Sequence, residues 1–182
     1  ICITVGNLRS AKGLDLLIEV CDLLPREILP VFVIVGRDAD QTYADACRKR
    51  IEENGLTSYF RFTGRQESSI PWIKGANFGI IPSRSESGPL ILIEIMACGL
   101  PFVAFNVGGI SQQVSLCLPE SFARPDDIHD FAQKLMRLLE TPQQAREALS
   151  HQNKELASRL FDVHHRVPEI TTIYRSILMN KQ

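Results

Sequence analysis

Short apolar runs alternate with segments of helical periodicity along most of this chain, and this alternation constrains its fold more than any other feature. The runs at residues 31–35 and 78–81 are continuously apolar, as strands buried on both faces of a sheet are. Between such runs, apolar residues recur every three or four positions, which is typical of helices packed through one face. The alternation predicts an α/β fold with a doubly wound parallel sheet, Rossmann-like in its architecture.

The same patterns locate most individual elements. Strands are predicted at residues 1–5, 31–35, 59–63, 78–81 and 102–105. Helices are predicted around residues 14–21, 43–51, 70–75, 88–98, 111–114 and 128–139, from Pro142 onward, and at about 167–180. Residues 115–125 fit neither pattern.

Size and composition favour a single domain over residues 1–182, since a hydrophobic fraction of 45% is enough for one substantial core. The net charge of −1 and the pI near 6.5 provide no general attraction for nucleic acid or anionic membranes. Apolar runs stay short of the ~20 residues of a membrane helix. Five cysteines without C-x-x-C spacing indicate reduced thiols, so we expect a cytoplasmic protein without a metal site.

Two glutamates, Glu86 and Glu94, stand out in residues 82–109. The residues next to Glu94 in sequence are apolar: Leu90, Ile91, Leu92, Ile93, Ile95 and Met96. An ionised carboxylate buried among them costs several kcal/mol unless hydrogen-bond donors meet it. We therefore expect Glu94 to be buried and to accept hydrogen bonds from hydroxyls of a ligand. A structural carboxylate held by backbone N–H groups is the alternative.

These glutamates belong to a series of ordered motifs. The series comprises Val5-Gly6-Asn7-Leu8-Arg9-Ser10-Ala11-Lys12-Gly13, Phe62-Thr63-Gly64-Arg65, Ile80-Ile81-Pro82-Ser83, the Glu86 and Glu94 pair, Ala97-Cys98-Gly99-Leu100-Pro101, and Gly108-Gly109. It closely resembles the donor-site signature of glycosyltransferase family 4, whose members are retaining nucleotide-sugar transferases of the two-domain GT-B architecture. The resemblance implies that this chain is the C-terminal, donor-binding half of such an enzyme.

We have two related expectations for the ends of the chain. Ile1 begins inside a strand-like run without an initiator Met, so we expect an N-terminal part of the protein to precede it. In the resembled family, a terminal helix crosses back onto the N-terminal domain. The helix predicted at about 167–180 is therefore expected to pack toward that missing domain, with its apolar face partly uncovered in this chain.

The predicted helix start near Gly88 suits a diphosphate, because unpaired backbone N–H groups and the helix dipole attract negative oxygens. Pro89 removes one donor from this group, and the others are expected from Gly88, Leu90 and Ile91. Lys12, on the Gly-bounded first loop, is expected to neutralise the leaving diphosphate, an ordinary exposed lysine being the alternative. The family often has Glu-Gly-Phe-Gly where this chain has Glu86-Ser87-Gly88-Pro89.

The resemblance assigns roles to the remaining site residues. Glu86 touches the donor sugar near the reacting centre, with an exposed loop acid as the alternative, and Glu94 accepts the ribose hydroxyls. Gly64 and Arg65 form the loop that meets the base. Gly6 belongs to the first loop, where Asn7 replaces the usual Arg and Arg9 is either its substitute or a solvated surface residue.

The sequence as a whole predicts a retaining hexosyltransferase-like enzyme of glycan or polysaccharide biosynthesis. Its donor is expected to be a nucleoside diphosphate sugar of the UDP type, without further cofactor. A glycan or lipid-linked acceptor would bind through the missing domain, in the cytoplasm or peripherally at the inner face of the membrane, and this chain alone would transfer nothing. Asn7 and Gln112, which replaces a common Glu, favour the alternative of a non-catalytic nucleotide-sugar-binding module or degenerate partner subunit. A nucleotide-sugar epimerase is a third hypothesis.

Overall fold

The computed structural model describes residues 1–88 and 90–179 and, within them, every side chain except that of Ile110. The strands of this part are β1 (Cys2–Val5), β2 (Phe32–Val35), β3 (Phe60–Gly64), β4 (Phe78–Ile81), β5 (Phe102–Phe105) and β6 (Phe122–Ala123). Its helices are α1 (Leu14–Leu23), α2 (Gln41–Glu53), α3 (Ile70–Lys74), α4 (Leu90–Ala97), α5 (Gly109–Ser115), α6 (Ile128–Glu140), α7 (Gln143–Phe161) and α8 (Val163–Met179).

The strands form one parallel sheet in the order β3-β2-β1-β4-β5-β6, as the alternating sequence pattern predicts. In the centre of the sheet, Cys2 of β1 pairs with Phe32 on one side and with Phe78 on the other. The order of strands along the chain therefore reverses between β1 and β4. In open α/β sheets, ligands bind outside the carboxyl ends of the strands at such a reversal point.

The apolar core consists of one layer on each face of the sheet. Helices α1, α2 and α6 pack over the first layer, and α4 and α7 pack over the second. Consecutive strand residues point to opposite faces, so Ile80 belongs to the first layer and Ile81 to the second. Burial on both sides explains why the central strands are continuously apolar.

Most predicted elements are confirmed, with several ends shifted by one or two residues, and three of the differences have a clear local cause. The third strand begins at Phe60, because Tyr59 ends a short 3₁₀ turn. Residues 115–125, which fit neither pattern, contain a second 3₁₀ turn and β6, whose two residues are too few to show a strand period. The last helix begins at Val163, before the predicted start near residue 167, since the Asp162 side chain accepts a hydrogen bond from the His164 N–H at the turn into the helix.

Helix α8 carries an apolar stripe that the described part of the protein leaves largely exposed. Ile173, Tyr174 and Leu178 are 57%, 65% and 68% exposed. Such a continuous apolar surface is uncommon unless something covers it. Neither α8 nor any other helix in residues 1–88 and 90–179 is long and apolar enough to cross a membrane.

Candidate functional site

Two loops meet at the carboxyl edge of the sheet beside its reversal point. One follows β1 and ends at Gly13, and the other follows β4 and begins at Pro82. Gly13 has a φ of +66° and lies so close to the carbonyl oxygen of Pro82 that a Cβ atom would not fit. The backbone N–H of Arg84 donates to the carbonyl of Ala11 at 3.0 Å. These contacts fix the first loop against the second.

This junction brings Lys12 and Glu86 together. The Nζ atom of Lys12 lies 2.6 Å from Oε1 of Glu86, and the two side chains are 23% and 10% exposed. Lys12 is therefore a partly covered, paired cation, and Glu86 is largely buried, which does not fit the alternative of an exposed loop acid. The two residues predicted for the reacting end of the donor form one charged pair.

The turn after β5 approaches the same glutamate. Gly108 has a φ of +80° and faces the backbone of Glu86 without room for a Cβ atom. Only glycine combines this backbone conformation with such a close approach. The Gly108-Gly109 turn is thus a close-approach turn onto the Glu86 segment, and it is followed directly by α5, on which Gln112 is exposed.

Glu94 lies on α4 and is half-buried, so the expected burial of this carboxylate is only partial. Neighbours in sequence point in different directions around a helix, and Leu90 is 69% exposed. The buried side chains of α4 are Leu92, Ile95 and Met96. The Oγ atom of Ser69 donates a hydrogen bond to Glu94 Oε2 at 2.7 Å. A protein hydroxyl therefore meets one oxygen of this carboxylate.

A cavity of about 460 Å³ opens between the loops that follow β1, β2 and β3. Its wall includes three predicted site residues: Gly6, Asn7 and Arg65. The other polar residues of the wall, which the sequence did not single out, are Arg37, Gln66, Glu67 and Ser69. Ser69 connects this cavity to Glu94 through its hydroxyl. The cavity thus combines cationic, anionic and neutral hydrogen-bonding groups next to the ribose candidate.

The other predicted residues lie around these groups. Gly64 ends β3 with a φ of +69° and turns the chain toward Arg65. Arg9 is exposed at the start of the turn that carries Lys12, and it does not line the cavity. Gly88 precedes α4 and Ile91 lies in its first turn, and both residues are half-buried. Pro89 lies outside the described residues.

Sequence reasoning missed a polar cluster that joins the loop after β4 to α1 and α2. The Arg84 guanidinium donates to both carboxylate oxygens of Asp15, at 2.7 and 2.6 Å, and the Tyr43 hydroxyl donates to Asp15 Oδ1 at 2.6 Å. Burial alone would raise the pKa of Asp15, but the hydrogen bonds from Arg84 and Tyr43 lower it below its usual value. Arg84 lies two residues before Glu86, yet the 69 positions between Arg84 and Asp15 give no spacing signal that pairs them.

Comparison with known proteins gives a consistent result. Residues 1–156 match the family described as Glycosyl transferases group 1. The D-inositol 3-phosphate glycosyltransferase of Jonesia denitrificans is 30% identical over 122 residues, which cover 63% of this chain and 29% of that protein.

The fold is similar to that of solved glycosyltransferases. HepE from Anabaena in complex with UDP matches with a TM-score of 0.81 and 20% identity, over 96% of this chain and 48% of HepE. Sucrose-phosphate synthase from Thermosynechococcus elongatus matches with a TM-score of 0.79 and 25% identity, over 98% of this chain and 46% of the synthase. These structural neighbours have the GT-B architecture. The matched region is less than half the length of each of these three proteins.

Proposed function

We propose, because this chain belongs to the family of group 1 glycosyl transferases, that the complete protein transfers a sugar from a nucleoside diphosphate donor to an acceptor. The observation that carries the proposal is the 2.6 Å contact between Lys12 Nζ and Glu86 Oε1 at the junction of the loops after β1 and β4. Ligands of open α/β sheets bind at such a junction. The order of motifs supports a family 4 enzyme that retains the anomeric configuration, in glycan or polysaccharide biosynthesis.

The chemistry follows from the charges that develop as the donor reacts. The bond between the anomeric carbon and the diphosphate oxygen breaks, leaving negative charge on the diphosphate and positive charge on the sugar. The Lys12 ammonium and the backbone N–H groups near Gly88 stabilise the leaving group, and the Glu86 carboxylate lies by the sugar. The acceptor oxygen bonds to the anomeric carbon, and its proton passes to the departing phosphate, so no protein base is required. We expect no obligatory metal.

The nucleotide is assigned to the neighbouring cavity of about 460 Å³. One Glu94 oxygen accepts from Ser69, and the carboxylate retains further acceptor capacity for the ribose hydroxyls. Arg65 and its loop meet the base. Complexes of HepE with UDP and with UDP-glucose support a donor of the UDP type.

The acceptor belongs to a part of the protein outside this chain. We assign residues 1–182 to a single donor-binding domain, with the acceptor half of the cleft supplied by an N-terminal domain. The exposed stripe of α8 supports packing toward that domain. A glycan or lipid-linked acceptor would bind there, in the cytoplasm or at the inner face of the membrane. This chain alone is expected to bind the donor weakly and to transfer nothing.

Titration calorimetry with UDP, GDP and ADP tests the donor site. We expect UDP to bind more tightly than GDP or ADP. Glu94→Ala should weaken the binding of every nucleotide that binds, because the ribose is common to all three. Glu155→Ala, an exposed change on α7, is the matched control and should leave binding unchanged. Absence of nucleotide binding by both this chain and the complete protein would contradict the proposal.

A non-catalytic nucleotide-sugar-binding module is the second candidate. It is favoured by Asn7, which occupies the cavity wall where the family usually has Arg, and by Gln112. Turnover assays on the complete protein separate the two functions, because only a transferase gives a glycosylated acceptor. The anomeric configuration of that product, determined by NMR, tests retention. Product formation without an acceptor would indicate an epimerase.

A further inference from the structure

Arg84, in the loop after β4, forms hydrogen bonds to several segments near the Lys12 and Glu86 pair. Its guanidinium contacts both oxygens of Asp15 on α1 and donates to the Ser10 carbonyl at 3.1 Å. Its backbone N–H donates to the Ala11 carbonyl at 3.0 Å. A planar guanidinium that binds a carboxylate through two parallel hydrogen bonds fixes orientation as well as distance. Arg84 therefore holds the loop that precedes Lys12 from two directions.

The carboxylate that receives Arg84 is itself fixed. The Tyr43 hydroxyl donates to Asp15 Oδ1 at 2.6 Å, and the Asp15 backbone N–H donates to the Tyr43 oxygen at 3.1 Å. Asp15 lies in the first turn of α1, directly after the Gly13 contact with Pro82. The loop that carries Lys12 is thus held at its start by Arg84 and at its end by α1.

Lys12 and Glu86 lie close in sequence to the residues that these contacts fix. Lys12 is two residues after Ser10, and Glu86 is two residues after Arg84, so the Arg84 contacts control both ends of the 2.6 Å pair. The guanidinium of Arg84 is already bound to Asp15 and Ser10, whereas the Lys12 ammonium has one carboxylate partner among residues 1–88 and 90–179. The geometry assigns the phosphate contact to Lys12 and a supporting function to Arg84.

We propose that Arg84 is a positioning residue for the diphosphate site, acting through Asp15 and the Ser10 carbonyl to hold Lys12 and Glu86 in register. This inference rests on the donor-binding function proposed above. Since uridine lacks phosphates, it does not use Lys12, and its affinity is independent of Arg84. Affinity for UDP depends on Arg84, and Asp15 is required for that dependence.

The test compares the wild-type chain with Arg84→Ala, Arg84→Lys, Asp15→Asn and the Arg84→Ala/Asp15→Asn double variant. Arg84→Ala weakens UDP binding about tenfold, the effect of losing hydrogen bonds between charged groups, and leaves uridine binding unchanged. Arg84→Lys binds UDP nearly as weakly as Arg84→Ala, because an ammonium cannot reproduce the two parallel hydrogen bonds. The double variant binds UDP no more weakly than Arg84→Ala, since both changes break the same connection.

Arg50→Ala is the matched control, because Arg50 also binds a carboxylate of α1, that of Glu19, at 2.9 Å. It should reduce stability without a selective loss of UDP. A direct phosphate contact by Arg84 would be indicated if Arg84→Ala weakened UDP binding and Asp15→Asn did not, and this result would overturn the proposal. An equal loss of UDP and uridine, which a purely structural residue would cause, would overturn it as well.

Amide hydrogen exchange gives a readout that needs no ligand. The Lys12 and Gly13 N–H groups donate to Arg9 and Ser10 carbonyls, at 2.8 and 3.1 Å. In Arg84→Ala these amides exchange about tenfold faster while those of β2 do not change, as expected for a local opening. Unchanged exchange would overturn the positioning function even if UDP binds. A wild-type protein that fails to bind UDP would instead overturn the donor-site proposal, and the exchange result would still show whether Arg84 orders the loop.

Discussion

Lys12 Nζ lies 2.6 Å from Glu86 Oε1, so the cation assigned to the diphosphate already has a carboxylate partner within the protein. A diphosphate bound beside Lys12 shares that cation with Glu86, and the like charges of phosphate and carboxylate repel each other. The pair therefore opposes tight binding of the leaving group while it keeps a carboxylate beside the sugar. A change at Glu86 is therefore expected to alter the affinity for the nucleotide and the rate of transfer in opposite directions.

Replacement of Glu86 by Gln is expected to tighten UDP binding about threefold to tenfold, the effect of removing one nearby like charge. Sugar transfer by the complete protein should fall, since the carboxylate beside the sugar is lost. Titration calorimetry and initial rates measure the two effects. Glu120→Gln, at a side chain that is 79% exposed, is the control for the change in net charge. Weaker UDP binding in Glu86→Gln would contradict the assigned arrangement.

Replacement of Ser69 by Ala removes the hydroxyl that donates to Glu94 Oε2 at 2.7 Å. We expect uridine and UDP to bind about threefold to tenfold more weakly, because the carboxylate loses the hydrogen bond that orients it. The loss should be equal for the two ligands, since they share the ribose. Ser68→Ala, at the adjacent exposed serine, should have no effect on either ligand. Unaltered affinities for uridine and UDP in Ser69→Ala would show that Ser69 does not contribute to the nucleotide site.

Gly13→Ala and Gly55→Ala distinguish a clash from backbone strain. Both glycines have nearly the same positive φ, +66° and +65°, but only Gly13 faces a carbonyl oxygen, that of Pro82. Gly55→Ala should lower the free energy of unfolding by about 1 kcal/mol through backbone strain alone. Gly13→Ala should lower it by about 3 kcal/mol or more, because the clash is added. Urea unfolding measures both, and equal losses would show that the loop after β1 can move away from Pro82.

Asp15 is expected to make folding stability depend on acid pH. Burial opposes the lowering of its pKa, but hydrogen bonds from Arg84 and Tyr43 prevail, so the folded-state pKa lies below the unfolded value of about 3.9. A depressed pKa stabilises the folded state above the unfolded pKa, and this contribution is lost as the pH falls through the folded-state value. The free energy of unfolding of wild type should therefore approach that of Asp15→Asn between about pH 5 and pH 2.

Urea unfolding at several pH values between about pH 5 and pH 2 measures the difference in free energy of unfolding between wild type and Asp15→Asn. Asp45→Asn, at a carboxylate that is 63% exposed, controls for the loss of one acidic group. A difference between wild type and Asp15→Asn that stays constant over the whole range would contradict the lowered pKa of Asp15.

The sequence was sufficient for the sheet and most helices, because strands buried on both faces and helices packed on one face leave different apolar periods. It was insufficient for β6, whose two residues span one period at most. The apolar neighbours of Glu94 suggested burial among them, but a count along the chain does not give direction around a helix, and Glu94 is half-buried on α4. Ser69 escaped notice because its partner Glu94 lies 25 positions away.

The loops with Lys12 and Glu86 were identifiable because their glycines and charged residues follow predicted strands. Contacts between the loops were not, since the close approach of Gly13 to Pro82 depends on which strands are neighbours. Strand order is a tertiary property, and no local pattern in β1 or β4 states that they pair. The Arg84 cluster depends on that same order.

The neighbouring positions of β1 and β4 also have a kinetic consequence. Lys12 and Glu86 are 74 residues apart, and β2, β3 and the helices beside them lie between. Closing so long a loop costs entropy, which the pairing of β1 with β4 helps to offset. A nascent or truncated chain that ends before β4 therefore has Lys12 without Glu86, and the charged pair reports that the central sheet has been completed.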